Sequence, residues 1–271
     1  MIFTVAYCGK IWSQNLLKQL LSLLGFVIVI GLIAAFDNSL AVWLNASDAI
    51  VGIGLGSVLF IFILRQYRNV SLALTVILVF EIVYYLLRSW IFYPSHIALS
   101  QQMTPVYETY LKRFPNLKFD ANAIAWIQNI TLKYQTAIWG SFQILAVFLG
   151  ILLFNKTSVL KQQVKFIRFP FLIVYLLITA LALSLNPITR MWGINALICM
   201  SLLYLIQGTA VLSFIWGSYF AKAKMMRTLL IMAVIINYPV LILIALIGVI
   251  DVWFDFRKLN LLEEKHESDI D

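Results

Sequence analysis

Ionisable and hydroxyl side chains inside an apolar stretch are the residues of this sequence that could do chemistry. Glu81 lies halfway along such a stretch, and Tyr84, Tyr85 and Arg88 follow at i+3, i+4 and i+7. This spacing places all four on one helix face, with Arg88 leaning back towards Glu81. A charge at bilayer depth costs at least about 2.5 kcal/mol, so such a group faces protein or water rather than lipid. The face is either a proton-titrating or ligand-contacting site, or a structural network that locks helices together.

Amide side chains fall at similar depth in other apolar stretches. Gln143, Gln207 and Asn237 would form a layer with Glu81 near the middle of a membrane. Pro239 has no amide hydrogen and predicts a kink beside Asn237, and broken helices at this depth are where transporters commonly bind solutes. Alternatively, these amides only hydrogen-bond across packed helices. The candidate ligand-binding residues are Glu81, Tyr84, Arg88, Gln143, Gln207 and Asn237.

A second polar group is predicted near the outer surface. Arg88, His96, Arg190 and Asn195 could bind an anionic headgroup or solute there, or could be ordinary interfacial anchors and solvated residues.

Catalytic chemistry has no support in the sequence. The predicted spans contain no Ser/His/Asp arrangement, HExxH pair or paired carboxylates, and Cys8 and Cys199 lack metal-ligand spacing. Gly52, Gly54 and Gly56 lack the remainder of a phosphate loop and instead favour close helix packing. We therefore predict no enzyme, no catalytic residue, no metal site and no cofactor.

The elements that must position these residues are membrane-spanning helices. The chain has 271 residues, of which 62% are apolar and 12% charged, and this composition excludes a water-soluble globule. Seven apolar stretches are long enough to approach a span of about 30 Å. The fold is predicted to be all-α and polytopic, with about seven transmembrane helices, at residues 16–36, 48–64, 70–92, 130–154, 169–185, 193–220 and 229–250.

The net charge of +8 is distributed between the apolar stretches and so indicates orientation rather than nucleic-acid binding. Basic residues alternate in the way that places the N-terminus in the cytoplasm. Seven spans would leave the C-terminus outside, although Arg257 and Lys258 directly after the last span favour the opposite side. We expect one transmembrane domain over residues 1–260, with the lipid bilayer as its partner, and a charged tail over 261–271.

Two connections are irregular. Ser47 or Asp48 could begin a new helix after an interfacial piece at Leu40–Leu44. Residues 93–129 form a long loop on the predicted outer side, in which Thr104-Pro105 would begin a helix, Phe114-Pro115 would end it, and Asp120 would cap another that runs into the fourth span. This helical loop is either a lid over a binding cavity or an amphipathic hairpin that rests on lipid headgroups.

The end of the last apolar stretch carries a charged motif. Asp251 and Asp255 share a helix face, and Arg257 and Lys258 follow where a helix C-terminus favours cations. The motif is either a docking surface for a partner, formed by Asp251, Asp255 and Arg257, or an interfacial stop for the last span.

Three stretches carry a family resemblance: residues 193–195 (GIN), 204–208 (YLIQG) and 248–258 (GVIDVWFDFRK). Over about residues 165–260 the chain resembles the YybS-like family of uncharacterised bacterial integral membrane proteins, a domain of unknown function. That family is distantly similar to substrate-binding subunits of energy-coupling-factor vitamin transporters and to the rod-shape protein MreD.

The resemblance implies a bacterial inner-membrane protein and two unlike functions. The first is a solute-binding or transport-associated membrane subunit that hands its solute to a transport ATPase complex. The alternative is a non-transporting scaffold or assembly factor that contacts envelope-assembly proteins.

Overall fold

The fold is all-helical in the part of the chain that the structure describes. The computed structural model describes residues 16–36, 39–113, 121–157, 166–222 and 237–259, and no strand occurs among them. The all-α prediction is confirmed for these residues. The predicted charged tail at 261–271, the helix end at Phe114-Pro115, the cap at Asp120 and the first part of the seventh predicted span lie outside the described residues.

The helices follow the order of the apolar stretches. They are α1 (Leu16–Phe36), α2 (Leu40–Ser47), a π-helical segment (Asp48–Leu55), α3 (Gly56–Tyr67), α4 (Val70–Ile91), α5 (Tyr93–Arg113), α6 (Ala121–Thr157), α7 (Leu172–Leu185), α8 (Arg190–Lys222) and α9 (Tyr238–Phe254).

Four helical stretches of the described residues are long and apolar enough to cross a membrane, namely Ala41–Tyr67, Val70–Ile91, Ile124–Ile151 and Arg190–Trp216. Shorter apolar helices occur at Leu24–Phe36, Leu172–Leu185 and Pro239–Phe254, where the other three spans are predicted. The chain therefore has the apolar helices of a membrane protein.

The candidate span at Ala41–Tyr67 is one continuous helical rod whose winding changes from α to π and back to α. Ser39 caps α2, and the backbone at Asp48 stays helical, so the prediction of a separate helix start at Ser47 or Asp48 is wrong. The π-helical segment is wider than an α-helix because its amides bond five residues back instead of four. Asp48, the first residue of this segment, points at α4.

The helix after α4 also begins earlier than predicted. It starts at Tyr93, with Pro94 in its first turn, and continues through Pro105, so Thr104-Pro105 does not begin it. Pro94 occupies a position where its missing amide hydrogen costs nothing. The predicted helix that runs through Trp126 into the fourth span is confirmed by α6.

The core lies between α4, α6 and α8, with α7 and α9 packed on α8. Gly208 and Gly248 let α8 and α9 cross in backbone contact, because a side chain at Gly248 would overlap the carbonyl oxygen of Tyr204. α9 begins at Tyr238 with Pro239 in its first turn. A proline at this position starts the helix, and the residues before Asn237, on which the predicted kink at Pro239 depends, lie outside the described residues.

Candidate functional site

An ion pair joins the π-helical segment to α4 near the end of the bundle where α5 begins. Arg88 Nη2 donates to Asp48 Oδ2 at 2.6 Å, while its Nε lies 2.5 Å from Asp48 Oδ1. The Tyr84 hydroxyl donates to Asp48 Oδ1 at 2.8 Å. Arg88 is almost fully buried, and its carboxylate partner is Asp48 rather than Glu81. The prediction that Arg88 leans on Glu81 is therefore wrong, because the bulged helix opposite supplies a nearer carboxylate.

A tight hairpin determines which residues of the two helices meet. Arg68 ends α3 in the left-handed conformation, and the Asn69 side chain accepts from the Leu72 amide to begin α4. Asp48 and Arg88 each lie 20 residues from Arg68, so they meet at one level. The hairpin therefore brings together two charges that are 40 positions apart in the sequence.

The Tyr85 side chain connects the hairpin to α6. Gln143 Nε2 donates to the Tyr85 hydroxyl at 3.1 Å, and the Thr136 hydroxyl donates to the Tyr85 carbonyl at 3.2 Å. Gly52 lies against Tyr84 and Tyr85, which confirms the predicted close approach at this glycine. The structure thus brings Tyr84, Arg88 and Gln143 into one polar cluster with Asp48 and Tyr85.

Glu81 points into the protein interior one turn from Tyr85. Its side chain is fully buried, and neither carboxyl oxygen has a hydrogen-bond partner among the described residues. Ser57, also fully buried, has no partner for its hydroxyl in this part of the chain. The prediction that Glu81 faces protein rather than lipid is confirmed.

A cavity of about 160 Å³ lies between α5 and α6, beside the Arg88–Asp48 pair. The Trp139 ring, 6.0 Å from the Arg88 guanidinium, forms part of its wall. Polar and apolar side chains of both helices line the rest: His96, Leu99, Ser100, Gln128, Thr131, Leu132 and Gln135. Gln128 Nε2 also donates to the Ser100 carbonyl at 3.0 Å and so fixes the two walls together.

His96 connects the cavity to the ion pair. Its Nε2 lies 3.4 Å from Arg88 Nη1. Burial and the neighbouring Arg88 charge lower the pKa of His96 to about 4. The imidazole is therefore neutral at pH 7. Because a guanidinium has only donors, Nε2 accepts this bond and Nδ1 carries the ring proton.

The other two members of the predicted outer cluster do not join the cavity. The Asn195 side chain accepts from the Ala137 amide at 2.8 Å and donates to the Lys133 carbonyl at 3.0 Å, so it fastens α8 to α6. Arg190 is exposed at the start of α8. The predicted cluster of four is therefore wrong, and only Arg88 and His96 meet.

Gln207 belongs to a second buried cluster at the end of α9. Its Nε2 donates to Asp251 Oδ2 at 2.9 Å, and its Oε1 accepts from the Phe169 amide. Arg257 Nη2 donates to the same Asp251 oxygen at 2.7 Å and to the Ile167 carbonyl at 2.9 Å. Asp251 and Arg257 side chains are fully buried in these contacts. They fasten α9 to the segment before α7 and are not accessible to a partner.

Asp255 lies at the margin of the same cluster and is partly exposed. Arg168 Nη1 lies 3.3 Å from Asp255 Oδ2, and the Arg168 amide donates to the Ser71 hydroxyl. Asn237 is exposed at the start of α9. The predicted layer of Glu81, Gln143, Gln207 and Asn237 therefore does not converge on one site, because helix rotation and the late start of α9 separate its members.

Sequence reasoning missed that Asp48 is the partner of Arg88, and it missed the cavity wall on α6. Gln128, Thr131 and Gln135 recur at spacings of three and four residues, which is the signal of a polar stripe on one helix face. Among the described residues, no group of three or more His, Cys, Asp or Glu side chains could hold a metal ion. The arrangement can hydrogen-bond a small solute or water beside a compensated charge pair.

Comparison of the chain with protein-family models, curated proteins and solved structures gives no match.

Proposed function

We propose that this chain is a solute-binding or transport-associated subunit of the bacterial inner membrane. The observation that carries the proposal is the cavity between α5 and α6, which has hydrogen-bonding side chains on both walls and the Trp139 ring beside it. A cavity of this size can hold several water molecules or one small solute. Ligand sites are commonly concave and mostly apolar with a few polar groups that orient the ligand.

The charges around the cavity favour an uncharged or weakly polar region of a solute. Asp48 compensates Arg88, and His96 is neutral at pH 7. The lining amides and hydroxyls can both donate and accept hydrogen bonds. Arg88, Asp48 and His96 therefore offer no unpaired charge that could balance an ionised group of a solute.

The proposal includes the finer topology that the sequence predicts. It comprises about seven spans, a multi-pass arrangement, a cytoplasmic N-terminus and an outer helical loop at about 93–129, in which α5 would act as a lid over the cavity. The resemblance to the YybS-like family supports a membrane protein partner, either a transport ATPase complex or envelope-assembly proteins. The lipid bilayer is the expected surrounding of the apolar helices. The proposal includes no enzymatic role.

Co-purification tests the proposal. The tagged protein is purified from native membranes in mild detergent, and small molecules and proteins that accompany it are identified by mass spectrometry. Gln135→Leu removes a polar group from the cavity wall with little change in size, whereas Gln101→Leu makes the same change on the exposed face of α5. We expect a stoichiometric small molecule with the wild type and with Gln101→Leu, and its loss with Gln135→Leu.

The scaffold function predicts a different result. Envelope-assembly proteins would then accompany all three proteins, without any stoichiometric small molecule. That outcome would refute the solute-binding proposal and favour an assembly factor.

A further inference from the structure

Two polar side chains inside the α3–α4 hairpin have no partner among the described residues. Glu81 and Ser57 are each fully buried, and three oxygen atoms are involved: both carboxyl oxygens and the hydroxyl. A buried polar group normally has a hydrogen-bond partner, and a buried charge normally has a counter-charge or a bound ion. These oxygens therefore indicate a ligand.

The backbone opposite Glu81 supplies further acceptor capacity. The Gly56 amide bonds back five residues to the Val51 carbonyl and shares its hydrogen with the Ile53 carbonyl, and α3 then continues with bonds four residues back. Where π winding changes to α winding, the helix has one more backbone carbonyl than it has amide hydrogens to bond to those carbonyls. At least one of the three carbonyls of residues 52–54 consequently has no amide hydrogen of its own.

Counting residues from the hairpin turn at Arg68 places Ser57 and Glu81 at nearly the same level. Ser57 is 11 residues before Arg68 and Glu81 is 13 residues after it, a difference of about 3 Å along a helix. The surplus carbonyl lies within about one turn of the same level. Gly52, in close contact with Tyr84 and Tyr85, has no side chain that would fill this interface.

Among the described residues, no cation pairs with the Glu81 carboxyl. Arg88, the cation on the same face of α4, makes two contacts with Asp48 instead. Carboxylate, hydroxyl and carbonyl oxygens are hard ligands of the kind that bind alkali cations, and interrupted helices supply such carbonyls in membrane proteins. The crowded helix contact favours a small ion.

We propose that Glu81, Ser57 and the surplus carbonyl of residues 52–54 bind one Na⁺ ion inside the α3–α4 hairpin. The cation neutralises the Glu81 carboxylate, so the pair carries no net charge within the apolar interior. This site is separate from the cavity between α5 and α6 and does not depend on a solute binding there.

Thermal unfolding of the full-length protein in detergent tests the site. Na⁺ replaces choline at constant ionic strength, and unfolding is followed by tryptophan fluorescence. A hundredfold excess of Na⁺ over its dissociation constant raises the folded-to-unfolded ratio about a hundredfold if the ion binds only the folded state. We expect saturable stabilisation of the wild type, no Na⁺ response in Glu81→Gln, and a several-fold weaker apparent affinity in Ser57→Ala.

Glu108→Gln is the matched control, because Glu108 is exposed on α5 and its loss leaves the Na⁺ response unchanged. Equal stability in Na⁺ and choline would overturn the proposal and indicate that Glu81 is a neutral, protonated carboxyl. A Na⁺ response that persists in Glu81→Gln, or an unchanged affinity in Ser57→Ala, would also overturn it. If Glu81→Gln does not fold, Ser57→Ala alone decides.

Discussion

Removing one partner of the buried Asp251–Arg257 pair is predicted to destabilise the protein severely. Asp251→Leu leaves the Arg257 guanidinium enclosed without the Asp251 carboxylate, which lies 2.7 Å away in the native chain, and leaves the Gln207 amide without its acceptor. Because both charged side chains are fully buried, water cannot replace the lost contact. We expect a loss of about 3–5 kcal/mol in the free energy of unfolding, and a similar loss for Arg257→Met.

Removing both charges tests whether the loss comes from an uncompensated charge. The double variant Asp251→Leu/Arg257→Met buries apolar groups in place of the pair, and such replacements are often neutral or stabilising. We therefore expect the double variant to be more stable than either single variant. Arg168→Met is the control, because the Arg168–Asp255 pair is longer, at 3.3 Å, and partly exposed, so its loss costs about 1 kcal/mol or less.

Equilibrium unfolding in mixed micelles, followed by tryptophan fluorescence, measures all four variants. Single variants that lose no more stability than Arg168→Met would refute the reasoning. So would a double variant whose loss equals the sum of the two single losses, because the charges would then not be coupled.

Two further outcomes are expected. The pKa of His96 is about 4 in the folded chain, against 6.5 as its ordinary value. Since the unfolded chain takes up the proton first, the contribution of neutral His96 to the free energy of unfolding is fully present above pH 6.5 and is lost as the pH falls towards 4. The protection factors of the α5 amides, which compare each observed hydrogen-exchange rate with the intrinsic rate at the same pH, should therefore fall as the pH falls over this range, and a His96→Gln variant with the same pH profile would contradict this account. Gly248→Ala should separate α8 from α9 and cost about 1–3 kcal/mol in unfolding experiments. The same change at Gly25, which has open space around it, should not destabilise the protein, and equal losses at both positions would exclude a steric cause.

Hydropathy was sufficient to predict the helices that carry the polar residues. The predicted spans at 70–92 and 130–154 correspond to α4 and to part of α6, and the interior position of Glu81 followed from the cost of exposing a carboxyl to lipid. These properties depend on local composition and on the transfer of side chains from water to an apolar medium. They can therefore be determined without knowledge of the packing.

The partner of each polar side chain was decided by the tertiary structure. The spacing on α4 made Glu81 the nearest carboxyl to Arg88 in the sequence, but the hairpin and the π-helical winding bring Asp48 into bidentate contact with it. Gln207 and Asn237 shared a predicted depth, yet Gln207 is buried against Asp251 and Asn237 is exposed. Sequence specifies depth along a helix, whereas contacts also depend on helix rotation, on where each helix begins and on the distance between axes. Those three quantities are determined only when all the helices pack together.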